Sequence, residues 1–186
     1  MGKVIIFSAP SGSGKTTIVR HLLERYPQFE FSISATSRAP RGQERDGVDY
    51  YFLSHGEFMQ AVAENRFVEW EEVYKGTCYG TLRSELKRIW DKGHVIVFDV
   101  DVKGGVNLKR IFGAQALSVF VMPPSVDELQ RRLEGRGTDS PETIARRVAK
   151  AEQELAFAPQ FDRVVVNDCL ATAIAEAERI TEAFIG

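Results

Sequence analysis

Ala9-Pro10-Ser11-Gly12-Ser13-Gly14-Lys15-Thr16-Thr17 sets a lysine and two hydroxyl side chains directly behind a run of small residues. Small residues let backbone N–H groups turn inward around an anion. A helix opening at Lys15 would add its own free N–H groups and the positive end of its dipole. Lys15 is then in reach of β- and γ-phosphates, and the Thr16 hydroxyl can ligate Mg²⁺. The nine residues together are expected to cradle a nucleoside triphosphate. Ala9 stands where the strict G-x-x-x-x-G-K-[ST] pattern has glycine, and alanine resists a positive φ. The first turn of the loop is where that pattern is tested.

Other residues extend the chemistry. Asp99 closes an apolar run and Asp101 follows on the same face of an extended segment. Acids at such a strand end lie beside the metal of a phosphate-loop protein, the competing reading being a turn or helix cap. Arg38 and Arg41 flank Pro40, and their forked N–H donors suit a second anion. Tyr50, and Tyr79 beside Gly80, can donate a hydroxyl to phosphate or simply pack. Arg131, Arg132, Arg136, Arg146 and Arg147 surround the loop Gly135–Ser140, with Gly135 and Gly137 as hinges. An arm of that kind would carry guanidinium groups to a phosphoryl group in transit. Read blandly, it is a charged helix pair with Glu134, Asp139 and Glu142 as partners.

These residues need a frame. Val4–Ser8 reads as a buried strand and Lys15 to about Tyr26 as a helix stopped by Pro27. Phe29–Ser34 alternates as a strand, Thr36–Asp49 is an aperiodic loop, and Tyr50–Leu53 is a short strand. Ser54 with Glu57 is a capping box for a helix through Glu64. Phe67–Tyr74 reads as a strand, and Thr81 is expected to cap a helix over Leu82–Lys92 ended by Gly93. Val95–Asp99 and Leu117–Met122 are apolar runs suited to central parallel strands. Helices are expected over Gly104–Ile111, from a second capping box at Ser125 and Glu128 to Arg136, and from Pro141 to Phe157. Val164–Val166 is the last strand and Leu170–Phe184 the last helix. Alternating strands and helices predict a three-layer α/β/α domain with a central parallel sheet. The shorter strands between Phe31 and Tyr79 break the rhythm and read as a small mixed-β insertion.

Composition sets bounds. At 186 residues, 44% hydrophobic and 27% charged, the chain fits one globular domain. A net charge of −2 gives nucleic-acid binding no support, and no run is long enough to span a membrane. Cys78 and Cys169 read as free thiols of a reducing cytoplasm, and the strand pattern at the N-terminus leaves no signal peptide. His21, His55 and His94 read as structural or surface residues.

Taken together, the chain resembles the guanylate kinases, from Lys3 to the final helix. The matching stretches are Ala9–Thr17, Phe31-Ser32-Ile33-Ser34 with Arg38 and Arg41, Gly47-Val48-Asp49-Tyr50 and Phe67-Val68-Glu69-Trp70. Tyr79-Gly80-Thr81, Phe98-Asp99-Val100-Asp101, Arg132-Leu133-Glu134-Gly135-Arg136-Gly137 and Val166-Asn167-Asp168 complete them. Departures are Ala9, Cys78 in place of an aromatic or aliphatic residue, and Thr81 in place of a frequent serine.

The resemblance implies transfer of the γ-phosphoryl group of Mg-ATP to GMP, in purine metabolism and GMP recycling, with dGMP a further candidate acceptor. It implies that Arg38, Arg41, Tyr50 and Tyr79 hold the GMP phosphate, and that Ser34, Glu69 and Thr81 contact guanine. Asp99 and Asp101 would lie close to the acceptor nucleotide and metal. Ala9, Pro10, Ser11, Gly12, Ser13, Gly14, Lys15, Thr16 and Thr17 would hold ATP, with Thr16 on the metal and Asn167 near adenine. Lys15, Arg132, Arg136 and one or both of Arg146 and Arg147, Arg147 preferred, would act on the transferred group. It divides the chain into a core (about 1–33, 82–129 and 158–186), a GMP-binding part (about 34–81) and a mobile lid (about 130–157). Monomer and homo-oligomer both stay open. Rivals are a kinase for another monophosphate or a sugar phosphate, and a binding module that keeps only the phosphate site.

Glu69 suits guanine chemically. Guanine offers N1–H and a 2-amino group on one edge, and a carboxylate accepts from both. Adenine presents a bare N1 there. Hydroxyls on Ser34 and Thr81 suit O6 or N7. The acceptor oxygen of a monophosphate is already ionised, so the reaction asks for positioning and neutralised charge and not for a general base. Closure of the arm and lid only over both substrates would protect ATP from water.

Overall fold

Every residue of Val4–Ser8 (β1) is buried, as an unbroken apolar run covered on both faces must be. The structure is a computed structural model and describes residues 2–135 and 140–186. It divides into two compact units, Met1–Phe29 with Val97–Gly186, and Glu30–Ile96.

In the larger unit β1 lies parallel to Ala116–Met122 (β8), which lies parallel to Arg163–Val166 (β9). With Phe29–Phe31 (β2) and Val95–Val100 (β7) these strands form one sheet in the order β2-β7-β1-β8-β9. Lys15–Arg25 (α1) and Val102–Phe112 (α4) pack on β1, and Leu170–Ile185 (α7) packs on β9. The expected central parallel sheet flanked by helices is therefore present. Helices Val126–Gly135 (α5) and Pro141–Leu155 (α6) meet through Leu129, Leu133 and Ala151, with Ile144 and Val148 alongside. Ser140 caps α6 through the Thr143 N–H at 3.3 Å, and Pro141 takes the first helical position. The Ser125 hydroxyl likewise accepts the Glu128 N–H at 3.1 Å. The Glu128 carboxylate, expected to complete that box, accepts instead from Arg131 and Arg132. No helix of the described residues is long and apolar enough to cross a membrane.

The smaller unit holds a four-stranded sheet, Tyr51–Phe52 (β4), Ala35–Thr36 (β3), Thr77–Leu82 (β6) and Phe67–Tyr74 (β5), in that order. β3 and β4 are parallel, while β6 is antiparallel to both β3 and β5. This is the mixed-β insertion. Helix His55–Ala63 (α2) carries both halves of the expected capping box, Glu57 N–H to Ser54 and Ser54 N–H to Glu57. Its Phe58 and Ala61 form a core with Ala35, Phe67, Cys78 and Leu82.

Three expectations are corrected here. Phe29–Ser34 is not one strand, because the Ile33 N–H turns to the Glu85 carboxylate at 3.0 Å instead of to a neighbouring strand. Thr77–Leu82 is a strand that sequence reasoning missed, so Thr81 caps nothing and helix Arg83–Trp90 (α3) begins after Leu82 without a side-chain cap. Helix α4 starts at Val102, ahead of Gly104, because Asp101 caps it.

A carboxylate cluster secures α3 within this unit. Glu85 is fully buried, accepting from Ile33 N–H, from the Tyr51 hydroxyl at 2.8 Å and from Nε and Nη2 of Arg88. Glu30 collects Arg88, Lys92 and His94. Burial pushes the Glu30 carboxyl up, but these three donors outweigh it and hold it at about 2, against 4.5 for an ordinary glutamate. A carboxyl lowered on folding gives stability that is complete above its unfolded pKa and lost as pH falls through the folded one. Glu30→Gln should thus lower the unfolding free energy at neutral pH. Variant and parent should then converge on acidification between about 4.5 and about 2. Denaturant unfolding across that range checks it, and parallel curves would contradict it.

Candidate active site

The phosphate loop joins β1 to α1. Gly12 and Gly14 have φ of 95° and 86°, left-handed angles that a Cβ resists. Ala9 meets no such demand, since among the described residues Asn65 is the only non-glycine with a positive φ. Alanine is thus accommodated at the loop's first turn without that backbone cost. The Ser13 N–H closes a turn onto the Pro10 carbonyl at 3.2 Å. Asn167 supports the loop from the end of β9. Its amide Nδ2 donates to the Ser13 carbonyl at 2.8 Å and would overlap any Cβ at Gly14. The residue implied beside adenine is buried as a brace of this loop.

The Lys15 ammonium reaches the end of β7, donating to the Asp99 carboxylate and to the Val100 carbonyl at 3.0 Å. Asp101 points elsewhere. Its Oδ1 accepts the Gly104 N–H at 2.7 Å, and its carbonyl accepts the Ser8 hydroxyl at 3.1 Å. Of the two acids, Asp99 meets the lysine and Asp101 caps a helix.

A cleft of about 310 Å³ is lined by Ala9–Thr17 together with Asp101, Arg147, Lys150 and Glu154. Arg147 is therefore on the cleft wall, whereas Arg146 is exposed with its Nη2 3.4 Å from the Thr143 hydroxyl. Arg132, on α5, donates through Nε to Glu128 at 3.0 Å. Arg136 lies outside the described residues. Lys150 and Glu154 were not anticipated, although they follow Arg147 on one face of α6 at helical spacing. Their ion pair measures 3.4 Å. Burial pushes the Glu154 carboxyl up against the pull of Lys150, and Asp101 adds a smaller push.

In the smaller unit, register gathers the other candidates. Glu69 lies opposite Thr81, whose hydroxyl donates to its carboxylate at 2.7 Å. Ala35 opposes Gly80 on the other side of β6, and Ser34 directly precedes Ala35. Thr81 and Glu69 thus share one face, with Ser34 just ahead of the neighbouring strand. Strict alternation would bring Phe67 to the face of Glu69. A bulge between them turns Phe67 into the core instead. Gly80 permits the close pairing, because a Cβ there would fall 2.7 Å from the Glu69 carbonyl and 2.8 Å from Trp70 Cβ.

One step along that face lies Tyr79, whose hydroxyl accepts from Arg38 Nε at 3.0 Å. The Arg38 guanidinium carbon sits 4.9 Å from the centre of the Tyr50 ring, and the Tyr50 and Tyr79 rings meet edge-on at 5.9 Å. Glu44 was missed by sequence reasoning. Its carboxylate takes both arms of the Arg38 fork, at 2.7 and 2.9 Å, and the Arg41 N–H at 2.8 Å. The Arg38 hydrogen bonds, then the Arg41 N–H, hold Glu44 at about 2. Arg41 itself is exposed. This face can meet an anion at the arginine end and a hydrogen-bonding edge at the Glu69 end.

Comparison with known proteins gives the family. The family model described as guanylate kinase matches residues 1–184. The chain is similar to the guanylate kinase of Bacteroides fragilis, 56% identical over 184 residues, 99% of this chain and 90% of the relative. It is 50% identical to that of Porphyromonas gingivalis over 186 residues, covering 100% of this chain and 99% of the relative. Among solved structures, the crystal structure of guanylate kinase from Anaplasma phagocytophilum matches with a TM-score of 0.74 at 29% identity, covering 98% of this chain and 85% of that one. With a glycine-turned phosphate loop ending in Lys15 and a family match over nearly its whole length, this chain belongs to the guanylate kinase family.

Proposed function

We propose that the loop 9–17 holds ATP, that the face of Ser34, Arg38, Arg41, Tyr50, Glu69, Tyr79 and Thr81 holds GMP, and that the γ-phosphoryl group passes between them to give ADP and GDP. The reaction is that of the family: the chain is an ATP:GMP phosphotransferase. The observation that carries the residue assignment is the Thr81–Glu69 pair lying one pleat from the Arg38–Tyr79 contact. A purine edge and a phosphate belong at the two ends of one nucleotide.

Each group has a task. Glu69 accepts from guanine N1–H and the 2-amino group, and the Thr81 hydroxyl keeps its carboxylate in one orientation. Arg38, Arg41 and Tyr79 bind the acceptor phosphate, whose ionised oxygen attacks in line with the departing ADP. Lys15 and Arg147, with Arg132 and Arg136, neutralise charge spread over the phosphoryl oxygens. Asn167 acts through the loop, keeping the Ser13 carbonyl turned away from the phosphates.

The donor is proposed to enter as Mg-ATP. Among the described residues no group of three or more His, Cys, Asp or Glu side chains could hold a metal. Thr16, Asp101 and Glu154 are the oxygen-bearing side chains nearest to that task among the residues that line the cleft. That sparse oxygen set fits an ion that keeps its waters and binds mainly phosphate oxygens. When bound, Mg²⁺ neutralises charge between the β- and γ-oxygens. We assign the activity to the cytoplasm, where Cys78 and Cys169, both free thiols, stay reduced.

The test is ADP release from Mg-ATP with GMP, dGMP, AMP, UMP, CMP or no acceptor. GMP should support turnover strongly and dGMP more weakly. Turnover with a different base would keep the kinase and remove the Glu69 assignment. GMP binding without turnover on any acceptor would overturn the reading.

A further inference from the structure

We infer that Glu44 is a positioning residue of the GMP site: its carboxylate fixes the Arg38 guanidinium and the Arg41 main chain, so that Arg38 meets the acceptor phosphate with a single N–H and not with its fork. The inference rests on reading Arg38, Arg41 and Tyr79 as phosphate contacts, and it concerns how they are made ready.

A count of donors carries it. A guanidinium has five N–H groups. In Arg38, Nε donates to the Tyr79 hydroxyl at 3.0 Å, Nη1 to the Ala39 carbonyl at 3.0 Å and to Glu44 at 2.7 Å, and Nη2 to Glu44 at 2.9 Å. Among the described residues this leaves one N–H, on Nη2. The group is also enclosed by rings, 4.9 Å from the centre of Tyr50 and 5.8 Å from that of Phe52, and the side chain is 11% exposed. It cannot swing to present another edge without leaving both rings. Tyr79, accepting from Nε, keeps its own proton to donate.

Glu44 also builds the loop that bears both arginines. The Glu44 N–H donates to the Arg41 carbonyl at 3.1 Å, while the Glu44 carboxylate accepts the Arg41 N–H at 2.8 Å. The turn is therefore closed in both directions, with Gly42 inside it at a φ of 57°. One carboxylate thus sets the plane of Arg38 and the starting point of the exposed Arg41 side chain. Glutamine cannot do this. Its amide offers one oxygen, and its NH₂ would face a guanidinium N–H, donor against donor.

The alternative is that Glu44 merely competes with phosphate for the Arg38 fork. The two ideas give opposite signs. Releasing a competitor frees two N–H groups and adds one net positive charge, so E44Q would bind GMP more tightly. Releasing a positioning group disorders the contact, so E44Q binds GMP more weakly.

The experiment is calorimetric titration of the full chain, its E44Q and E44D variants and R38M, with GMP and with guanosine, which lacks the phosphate. E44Q should raise the Kd for GMP roughly 10- to 100-fold, as expected when one charge-assisted contact is lost. Its Kd for guanosine and its KM for ATP should stay within about twofold of the parent, since the contact is confined to the phosphate end. E44D, which keeps the charge on a shorter stem, should fall between, and it decides the matter by the same GMP-to-guanosine ratio if E44Q does not fold. Unchanged or tighter GMP binding in E44Q, or an equal loss for guanosine, overturns the proposal. R38M separates the two layers of inference. If R38M weakens GMP and E44Q does not, Glu44 has no positioning role. If R38M also leaves GMP binding unchanged, the phosphate assignment has failed.

Discussion

Glu69→Gln should erase the preference for GMP over AMP, with the ratio of their kcat/KM values falling by roughly 10³ to 10⁴. The size follows from what the substitution leaves facing the base. A carboxylate offers only acceptors to guanine N1–H and the 2-amino group. The amide puts an NH₂ where an acceptor is needed, and that NH₂ suits the bare N1 of adenine. Thr81 sharpens the effect, because its hydroxyl holds one Glu69 oxygen at 2.7 Å. Losing the charge loosens that bond as well, so orientation and charge fail together. Thr81→Val should cost far less, removing the brace while keeping the acceptor. Steady-state kinetics with both monophosphates decides the matter, and unchanged GMP kinetics in the Gln variant would take Glu69 out of the site.

Lys15→Met is expected to lower kcat by about 10² to 10³, the usual loss when one preorganised charge is withdrawn from a developing anion. The structure adds a complication that kinetics can resolve. Lys15 is paired with Asp99, both side chains under a fifth exposed at 16% and 18%. Methionine therefore leaves a carboxylate without its ammonium beside a phosphate site. Part of any loss could arise from Asp99 repelling ATP and not from the missing cation. The double variant Lys15→Met/Asp99→Asn separates the two contributions. We expect it to recover ATP affinity in part and kcat hardly at all. Full recovery of kcat would move the effect to Asp99.

How far these residues were legible in the sequence depends on how local their geometry is. The phosphate loop was readable because nine consecutive residues contain it and their backbone needs are written in Gly12 and Gly14. The α2 capping box was readable for the same reason. Strand β6 was not. Tyr79-Gly80-Thr81 has no apolar alternation to mark it, and it is held in a sheet by Ala35 on one side and Trp70 on the other. The bulge that parts Phe67 from Glu69 is likewise a product of pairing across strands. Glu44 and Glu85 were hidden differently. A carboxylate in a charged stretch looks solvated, and only the fold shows Arg38 closing on one and Ile33, Tyr51 and Arg88 on the other. The choice between Arg146 and Arg147 also waited for α6, whose rotation alone puts Arg147 on the cleft wall. Cys78 shares Tyr79's strand but not its face, because the pleat sends the two side chains to opposite sides and buries the thiol.

That pleat makes β6 a ruler. Tyr79 and Thr81 are two residues apart on one strand, so on the proposed assignment the phosphate end and the base end of the nucleotide would be measured off at a fixed pitch of roughly 7 Å. Inserting or deleting a single residue between them would move one of the two to the opposite face and so break the spacing. Exchanging a side chain at Thr81, or across from it at Glu69, leaves the pitch intact. A lineage could therefore alter which base is read without re-measuring where the phosphate lies, whereas any change of strand length must rebuild the acceptor site whole.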